Sequence, residues 1–435
     1  MKKKVIAILG TLDTKEAEAF FLRDRIRQEG CEVLIIDVSS GPSCPTLGEI
    51  DVTQEKVALA AGTSIQEVYK MERGEASETM GRGAANIIKE LYSSGKIHGA
   101  IGYGGSFGVT VVSQALKALP IGFPKFIVTT SVEGAARSIG IKDVGIISSI
   151  TDLTGGKTIN KLEAKILTQA AAAITGMVKA KPPKIVDKPT VVATQMGVTT
   201  PCILQCKSIL EEEYEVVTFH AIGSGGRTVE ALIDEGLAVG VLDITLAEIS
   251  NELVGGICTA GPERLTAACK KGVPQIICPG ALDMVNFWGP KTINVPEKFK
   301  DRLFYYHNPM VTLMRVNKEE SIELGKIIAE KLNLSKGPTA IFIPLKGWSS
   351  YDIKGGVKTV NYQGQPTGKE WYDPEADAAF VESLEKHLDL SKPNIDLLKV
   401  DKHINDPEFA KLLATTLDEM IKGKWKSARL LRSEN

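Results

Sequence analysis

A short polar loop near the start of the chain combines a glycine with residue types suited to binding phosphate. The loop reads Gly-Thr-Leu-Asp-Thr-Lys over 10–15 and joins an apolar run to a helical stretch. Free backbone N–H groups at a helix start attract anions, and a lysine adds positive charge. We therefore expect phosphate contacts from Gly10, Thr11, Asp13, Thr14 and Lys15. Asp13 with Glu16 also matches a capping box, so a plain N-cap role stays open.

A second glycine-rich loop has the stronger pattern for an anion site. It reads Ile-Gly-Tyr-Gly-Gly-Ser-Phe-Gly over 101–108, after a strand-like run and before a helical one. It is not the dinucleotide fingerprint, because Phe107 stands where that motif needs a glycine. Glycines before a helix let phosphate approach the backbone, which favours an anion nest. The expected nest residues are Gly104, Gly105, Ser106 and Gly108, and a merely tight turn stays open.

The second half of the chain offers ionisable side chains. His220 ends a β-rich run, and a glycine-rich turn then leads to Arg227 at a helix start. A histidine can serve as general acid or base, and an arginine can fork onto a carboxylate or phosphate. Asp283 and Asn286 follow another apolar run, at the same rim of a parallel sheet. We expect all four residues to be catalytic, and a structural role for His220 stays open.

These loops belong to a pattern that the chain uses twice. Residues 4–37 and 190–220 each read as an apolar strand, a polar turn, a helix and a second strand. This pattern opens a parallel α/β sheet, where ligands bind beyond the carboxyl ends of the strands. Only the first copy ends in an acidic residue, Asp37, which we expect to contact a ribose hydroxyl.

The predicted fold class is α/β, with two Rossmann-like open parallel-sheet domains and a cleft between them. We predict a nucleotide-binding domain over 1–180 and a second α/β domain over 190–435. A proline- and lysine-rich linker is expected over 181–189. The predicted strands are 4–9, 32–37, 98–103, 125–130, 144–149, 190–196, 215–220, 238–243, 275–279 and 338–343. The predicted helices are 14–29, 77–94, 106–118, 159–178, 201–212, 226–235, 262–271, 318–332, 374–388 and 406–421.

Composition narrows the class of partner. The formal net charge is −1, which gives no electrostatic reason to expect a nucleic-acid or membrane partner. No apolar run approaches transmembrane length, and no targeting segment is visible. Seven scattered cysteines indicate reduced thiols, and no metal site is expected from them. We therefore expect a cytoplasmic protein.

With these motifs assembled, the chain resembles the family of the ATP-binding N-terminal region of the tomato mosaic virus resistance protein. The resemblance covers nearly the whole chain and departs from the family pattern around 129–134 and 152–157. It implies a two-subdomain α/β fold, adenine-nucleotide binding and dimerisation. Its most specific blocks are Gly10-Thr-x-Asp-Thr-Lys15, Phe219-His-Ala-x-Gly-x-Gly-Gly-Arg227 and Gly280-Ala-Leu-Asp-Met-Val-Asn-Phe287.

The leading hypothesis is an ATP-binding enzyme that uses ATP and Mg²⁺ on a small anionic metabolite in the interdomain cleft. The first domain would hold the phosphates, and the second would present the ionisable residues. Two alternatives stay open. One is an ATP-regulated binding protein without turnover. The other is an isomerase or lyase of a phosphorylated sugar acid, whose glycine loops bind the phosphate of the substrate.

Overall fold

The chain folds into two compact units, Met1–Lys184 and Ile185–Asn435. The structure, a computed structural model, describes residues 3–43, 46–153, 155, 158–181 and 187–427. Most of the expected linker, residues 182–186, lies outside the described residues. Across the described ranges, no helix has both the length and the apolar content needed to cross a membrane.

Unit 1 is a five-stranded parallel sheet covered by helices. Its strands are β1 Val5–Gly10, β2 Glu32–Asp37, β3 Gly99–Gly104, β4 Lys125–Thr129 and β5 Gly145–Ser148. Its helices are α1 Leu12–Gln28, α2 Gln54–Ala60, α3 Ile65–Val68, α4 Arg73–Ser93, α5 Ser106–Lys117, α6 Val132–Ile139 and α7 Lys161–Lys179. The strand order β2-β1-β3-β4-β5 reverses direction between β1 and β3. Open α/β sheets bind ligands at such a switch point.

The apolar run of β1 buries both of its faces. Ile6 and Ile8 pack with residues of α1 and α7. Ala7 and Leu9 pack on the opposite face with residues of α4 and α5. Successive side chains of a strand point to opposite faces, so a continuous apolar run suits a sheet that is covered on both sides.

Unit 2 repeats this topology with one more parallel strand. Its strands are β6 Thr190–Gln195, β7 Glu215–His220, β8 Gly240–Thr245, β9 Gln275–Gly280, β10 Met284–Trp288, β11 Phe304–Asn308, β12 Val311–Arg315, β13 Thr339–Pro344, β14 Lys358–Val360, β15 Pro366–Glu370 and β16 Ile395–Val400. Its helices are α8 Thr200–Leu210, α9 Ser224–Asp234, α10 Ala247–Val254, α11 Ala267–Lys271, α12 Lys318–Leu332, α13 Pro374–His387 and α14 Pro407–Ile421. The parallel sheet has the order β16-β13-β9-β8-β6-β7, which reverses between β6 and β8. The predicted α/β fold class with two open parallel sheets is confirmed.

Unit 2 also contains a second sheet, the third of the chain, which the sequence did not predict. It is antiparallel and has the order β10-β12-β11-β14-β15. Its central hairpin turns at Asn308, whose Oδ1 accepts hydrogen bonds from the N–H groups of Met310 at 2.7 Å and Val311 at 2.9 Å. The side chain thereby sets a local turn that the glycine and helix patterns of the sequence do not signal.

The predicted helix over 262–271 is wrong in its first half, because only Ala267–Lys271 is helical. Leu265 has a positive φ of 71°, which a helix does not allow. The carboxylate of Glu230 accepts hydrogen bonds from the N–H groups of Leu265 at 2.6 Å and Ala267 at 2.7 Å. A side chain from α9 therefore caps this helix later than the sequence pattern suggests.

Candidate functional site

A cavity of about 470 Å³ lies at the switch point of unit 1. We call it the switch-point cavity, and it lies beside the carboxyl ends of β1 and β3. Of the predicted residues, it is lined by Thr11, Asp13, Thr14, Lys15, Gly105, Ser106 and Gly108. Its other wall was not predicted from the sequence and includes Ser40, Tyr69, Met71, Arg73 and Phe107. No local motif marks Arg73, because it reaches the cavity only through the placement of α4.

The start of α5 supplies unoccupied donors to this cavity. Within the described part of the chain, the backbone N–H groups of Ser106, Phe107 and Gly108 donate to no acceptor. A Cβ on Gly104 would lie 3.1 Å from Cα of Gly108, so a glycine there lets β3 run closely against the helix start. Free donors at the positive end of a helix bind anions.

The start of α1 differs from the expectation. Its first two N–H groups already have partners: Leu12 donates to Oδ1 of Asp37 at 3.3 Å, and Asp13 donates to Oγ of Ser39 at 3.0 Å. The expected free donors on α1 are therefore used within the chain. Lys15 still lines the cavity, with backbone angles outside the helical range.

Asp37 is buried and holds the start of α1 through hydrogen bonds. It is 1% exposed, does not line the cavity, and its Oδ1 also accepts hydrogen bonds from the N–H and hydroxyl of Ser39. Burial raises the pKa of this carboxyl group. The expected contact with a ribose hydroxyl would require Asp37 to leave these partners.

Packing against Tyr103 explains why residue 10 is a glycine. A Cβ at this position would overlap the ring of Tyr103, which crosses the end of β1. The hydroxyl of Tyr103 donates to the carbonyl oxygen of Lys15 at 2.8 Å. Burial raises the pKa of Tyr103 well above its usual value, so this hydroxyl keeps its proton. The glycine therefore permits a contact that positions the loop, and it does not itself line the cavity.

Asp13 is suited to hold a cation that arrives with phosphate. Its Oδ1 accepts from the hydroxyl of Thr14 at 3.2 Å, and its Oδ2 accepts from the N–H of Gly41 at 3.3 Å. Among the described residues, no group of three His, Cys, Asp or Glu side chains is arranged to hold a metal ion. Mg²⁺ bound by nucleotide phosphates needs only one or two protein carboxylates. One carboxylate at the cavity is therefore compatible with a magnesium ion that phosphate groups also bind.

The glycine loop of unit 2 already holds an anion, which is the chain's own Glu248. Its Oε1 accepts hydrogen bonds from the N–H groups of Gly223 at 2.6 Å and Gly226 at 2.9 Å. A Cβ on Gly226 would overlap the same carboxylate. The loop is an anion nest as its glycine pattern suggests. However, its ligand is supplied by α10.

A buried arginine holds that carboxylate in place. Arg264 is 2% exposed, and its Nε donates to Oε2 of Glu248 at 2.7 Å. Its two Nη atoms each donate to Asp243 at 2.5 Å. Bidentate pairs of this kind are strong and directional. The network fixes the end of β8 at the second switch point and uses the guanidinium of Arg264 within the chain.

The four expected catalytic residues do not form one cluster. Arg227 is exposed, and its Nη1 donates to the carbonyl oxygen of Thr259 at 3.0 Å. Asp283 is fully buried, and its Oδ2 accepts from Nε1 of Trp371 at 2.6 Å and Oγ of Ser349 at 2.9 Å. Neither residue lines the cavity that His220 and Asn286 line. Burial, with Asp352 nearby, raises the pKa of Asp283 to about 6.

His220 and Asn286 do meet at one cavity. It has a volume of about 440 Å³ and lies where β6 and β7 end against the antiparallel sheet. We call it the unit 2 cavity. Its walls also include Gly197, Trp288 and Tyr351, none of which was a predicted site residue. Nδ1 of His220 lies 3.1 Å from the carbonyl oxygen of Gln195.

The sequence matches two successive family domains. Residues 4–183 match the N-terminal domain of the Uncharacterised protein family (UPF0261), and residues 188–421 match its C-terminal domain. The chain belongs to the UPF0261 family. The predicted membership of the same family as the tomato virus-resistance protein is confirmed. ATP binding stays a prediction.

Three relatives give the scale of the similarity. A UPF0261 protein of Clostridium tetani is 44% identical over 97% of this chain and 100% of its own length. A UPF0261 protein of Mesorhizobium japonicum is 38% identical over 95% of this chain and 99% of its own. The ToMV resistance protein Tm-1 of Solanum lycopersicum is 34% identical over 95% of this chain but only 55% of its own length.

Among solved structures, the glycosyltransferase SnogD from Streptomyces nogalater aligns with 64% of this chain and 82% of its own. The identity is 10% and the TM-score is 0.19. A similarity this low supports no argument about fold or function for this UPF0261 chain.

Proposed function

We propose that unit 1 binds ATP in the switch-point cavity, with the phosphates on the start of α5. The observation that carries the proposal is the convergence of three unoccupied N–H groups, from Ser106 to Gly108, with Lys15 and Arg73 around one cavity. Backbone donors and two flexible cations suit a polyphosphate better than a neutral ligand.

Other residues of the same cavity would hold the magnesium ion and the adenine ring. Asp13 and Thr14 would hold Mg²⁺, which neutralises phosphate charge. The ring of Tyr69 is 40% exposed at the opposite wall, near Met71 and Phe107, and would stack on the adenine. This placement leaves Asp37 buried and assigns no contact to it.

We further propose that the protein uses the bound ATP in a reaction on a small metabolite. A cytoplasmic location and a homodimer belong to the same proposal and rest on the sequence alone. The first alternative is a binding protein that ATP regulates. It predicts that ATP changes the affinity for a partner and that no ADP is formed. An isomerase or lyase of a phosphorylated sugar acid predicts instead that sugar phosphates compete with ATP.

Isothermal titration with Mg-ATP tests the proposal. We expect Lys15→Ala and Arg73→Ala each to weaken binding by about 10- to 150-fold, since each removes one charge-assisted contact worth roughly 1.5–3 kcal/mol. Lys117→Ala, at the exposed far end of α5, is the matched control and should bind normally. Absence of heat at millimolar Mg-ATP with folded protein would refute the proposal. Unchanged affinity in both cavity variants would also refute it.

A further inference from the structure

We propose that the unit 2 cavity is a second small-molecule site, specific for a neutral, mainly apolar compound that carries an amide or lactam group. This inference is independent of the proposed nucleotide site. None of the described residues that line the cavity is Lys, Arg, Asp or Glu. The switch-point cavity, by contrast, contains two cations and a carboxylate. A charged ligand would lose its hydration in the unit 2 cavity without gaining a counter-charge.

Asn286 presents a donor whose orientation is fixed by the backbone. Oδ1 of Asn251 accepts from the N–H groups of Asn286 at 2.9 Å and Cys258 at 3.3 Å, so its Nδ2 must be the donor. That Nδ2 donates to Oδ1 of Asn286 at 3.2 Å. Nδ2 of Asn286 is therefore left facing the cavity, and within the described residues it has no acceptor.

Asn286 is 7% exposed as a residue and lines the cavity, so the cavity is the side from which its Nδ2 can be reached. The fixed acceptor on one side and the cavity on the other leave a ligand or water to complete the pair. A carbonyl oxygen is the ligand group that matches one oriented N–H donor.

His220 presents the complementary acceptor. A carbonyl oxygen can only accept, so the contact of Nδ1 with the oxygen of Gln195 puts a proton on Nδ1. In the neutral ring, Nε2 then carries a lone pair. An amide or lactam supplies both partners, with its carbonyl toward Asn286 and its N–H toward His220. This pairing defines the head of the ligand.

The remaining walls select an apolar body. The cavity is lined by Met284, Val311 and Leu313. Trp288 also lines it, and 55% of the surface of this residue is exposed. An exposed tryptophan beside buried aliphatic side chains suits a flat ring. The volume of about 440 Å³ lies within the range of small-molecule sites.

The expectation of an anionic metabolite depended on Arg227. That side chain is held by Thr259 and does not line the cavity. The anionic metabolite stays a prediction, and the ligand proposed for this cavity is neutral.

Ligand-observed saturation-transfer NMR with benzamide tests the proposal, with benzoate and inorganic phosphate as charged comparisons. Benzamide has the carbonyl, the N–H and the ring, whereas benzoate keeps the ring and has a charged oxygen in place of the NH₂ group. We expect saturation transfer to benzamide that is at least fivefold stronger than to benzoate. Inorganic phosphate should not displace benzamide.

Two variants locate the binding. Gly197 lines the cavity and a Cβ on it meets nothing within 4 Å, so Gly197→Leu adds bulk at the cavity wall and should reduce the signal at least fivefold. Gly176→Leu, on α7, also meets open space and is the matched control. Asn286→Asp keeps the acceptor for Asn251 and loses the free donor, and should reduce the signal similarly.

The proposal is overturned if wild-type protein gives no saturation transfer to benzamide. It is also overturned if Gly197→Leu and Gly176→Leu behave alike, or if benzoate binds as well as benzamide. Lys15→Ala should leave the benzamide signal unchanged, so this site and the nucleotide site can fail separately.

Discussion

The carboxylate of Glu248 accepts a hydrogen bond from the N–H of Gly226 at 2.9 Å, inside a loop whose glycines form an anion nest. The other carboxylate oxygen accepts from Arg264, which is buried. An acidic side chain of the chain thus fills the position that an external anion would take. In unit 1, the corresponding donors at α5 have no such internal partner among the described residues.

Removing this carboxylate should destabilise unit 2. Glu248→Ala leaves the N–H groups of two glycines and one face of Arg264 unpaired, and breaking a buried ion pair costs about 3–5 kcal/mol. Urea unfolding followed by tryptophan fluorescence measures the change, since all four tryptophans lie in unit 2. Glu212→Ala, at an exposed position, should stay within about 0.5 kcal/mol of wild type. Equal midpoints for the two variants would contradict this account.

Asp283 should make stability depend on pH. Its pKa in the folded chain is raised to about 6 from an ordinary 3.8. A carboxyl group with a raised pKa contributes stability that is fully present below the unfolded pKa and is lost as pH rises through the folded one. We expect unit 2 to lose about 3 kcal/mol or less between pH 4 and pH 7 from this group.

Asp283→Asn should remove that part of the pH dependence, because an amide keeps an acceptor for Trp371 and cannot ionise. Denaturant unfolding of both proteins from pH 4 to pH 8 makes the comparison. Asp301→Asn, at an exposed position, is the control and should follow wild type. A slope in Asp283→Asn equal to that of wild type would rule out this residue as the source.

Gly10 should tolerate no larger residue while Tyr103 is present. Gly10→Ala forces its Cβ into the tyrosine ring, and overpacking of this kind costs about 1–3 kcal/mol. Hydrogen exchange of peptides from β1 and β3 localises the effect to unit 1. In a Tyr103→Ala background the cost should shrink, giving a coupling of about 0.5–3 kcal/mol. Strict additivity would argue against the contact.

Tripolyphosphate should compete with ATP for unit 1. The proposed contacts go mainly to phosphate, through the start of α5, Lys15 and Arg73. Competition titration in the presence of Mg²⁺ should give a tripolyphosphate affinity within about tenfold of that for ATP, or about 1.4 kcal/mol. Adenosine alone should bind far more weakly. The reverse order would place the recognition on the base and not on the phosphates.

The sequence by itself determined the α/β fold class, the two open parallel sheets and the glycine-rich loops that follow their strands. The doubled opening at 4–37 and 190–220 predicts two parallel sheets, because apolar runs and helical periods repeat in the same order. The glycines before α5 and α9 likewise predict nests. These are local properties, set by residues that are neighbours in the chain.

The tertiary structure alone decided which of those loops remain available to a ligand. The donors of α9 are taken by Glu248 and those of α1 by Asp37 and Ser39, whereas those of α5 have no acceptor among the residues that the structure describes. Each of those acceptors comes from a different element, so no spacing in the sequence reveals it. His220 and Asn286 meet at one cavity for the same reason, because the antiparallel sheet that carries Asn286 forms only by long-range strand pairing.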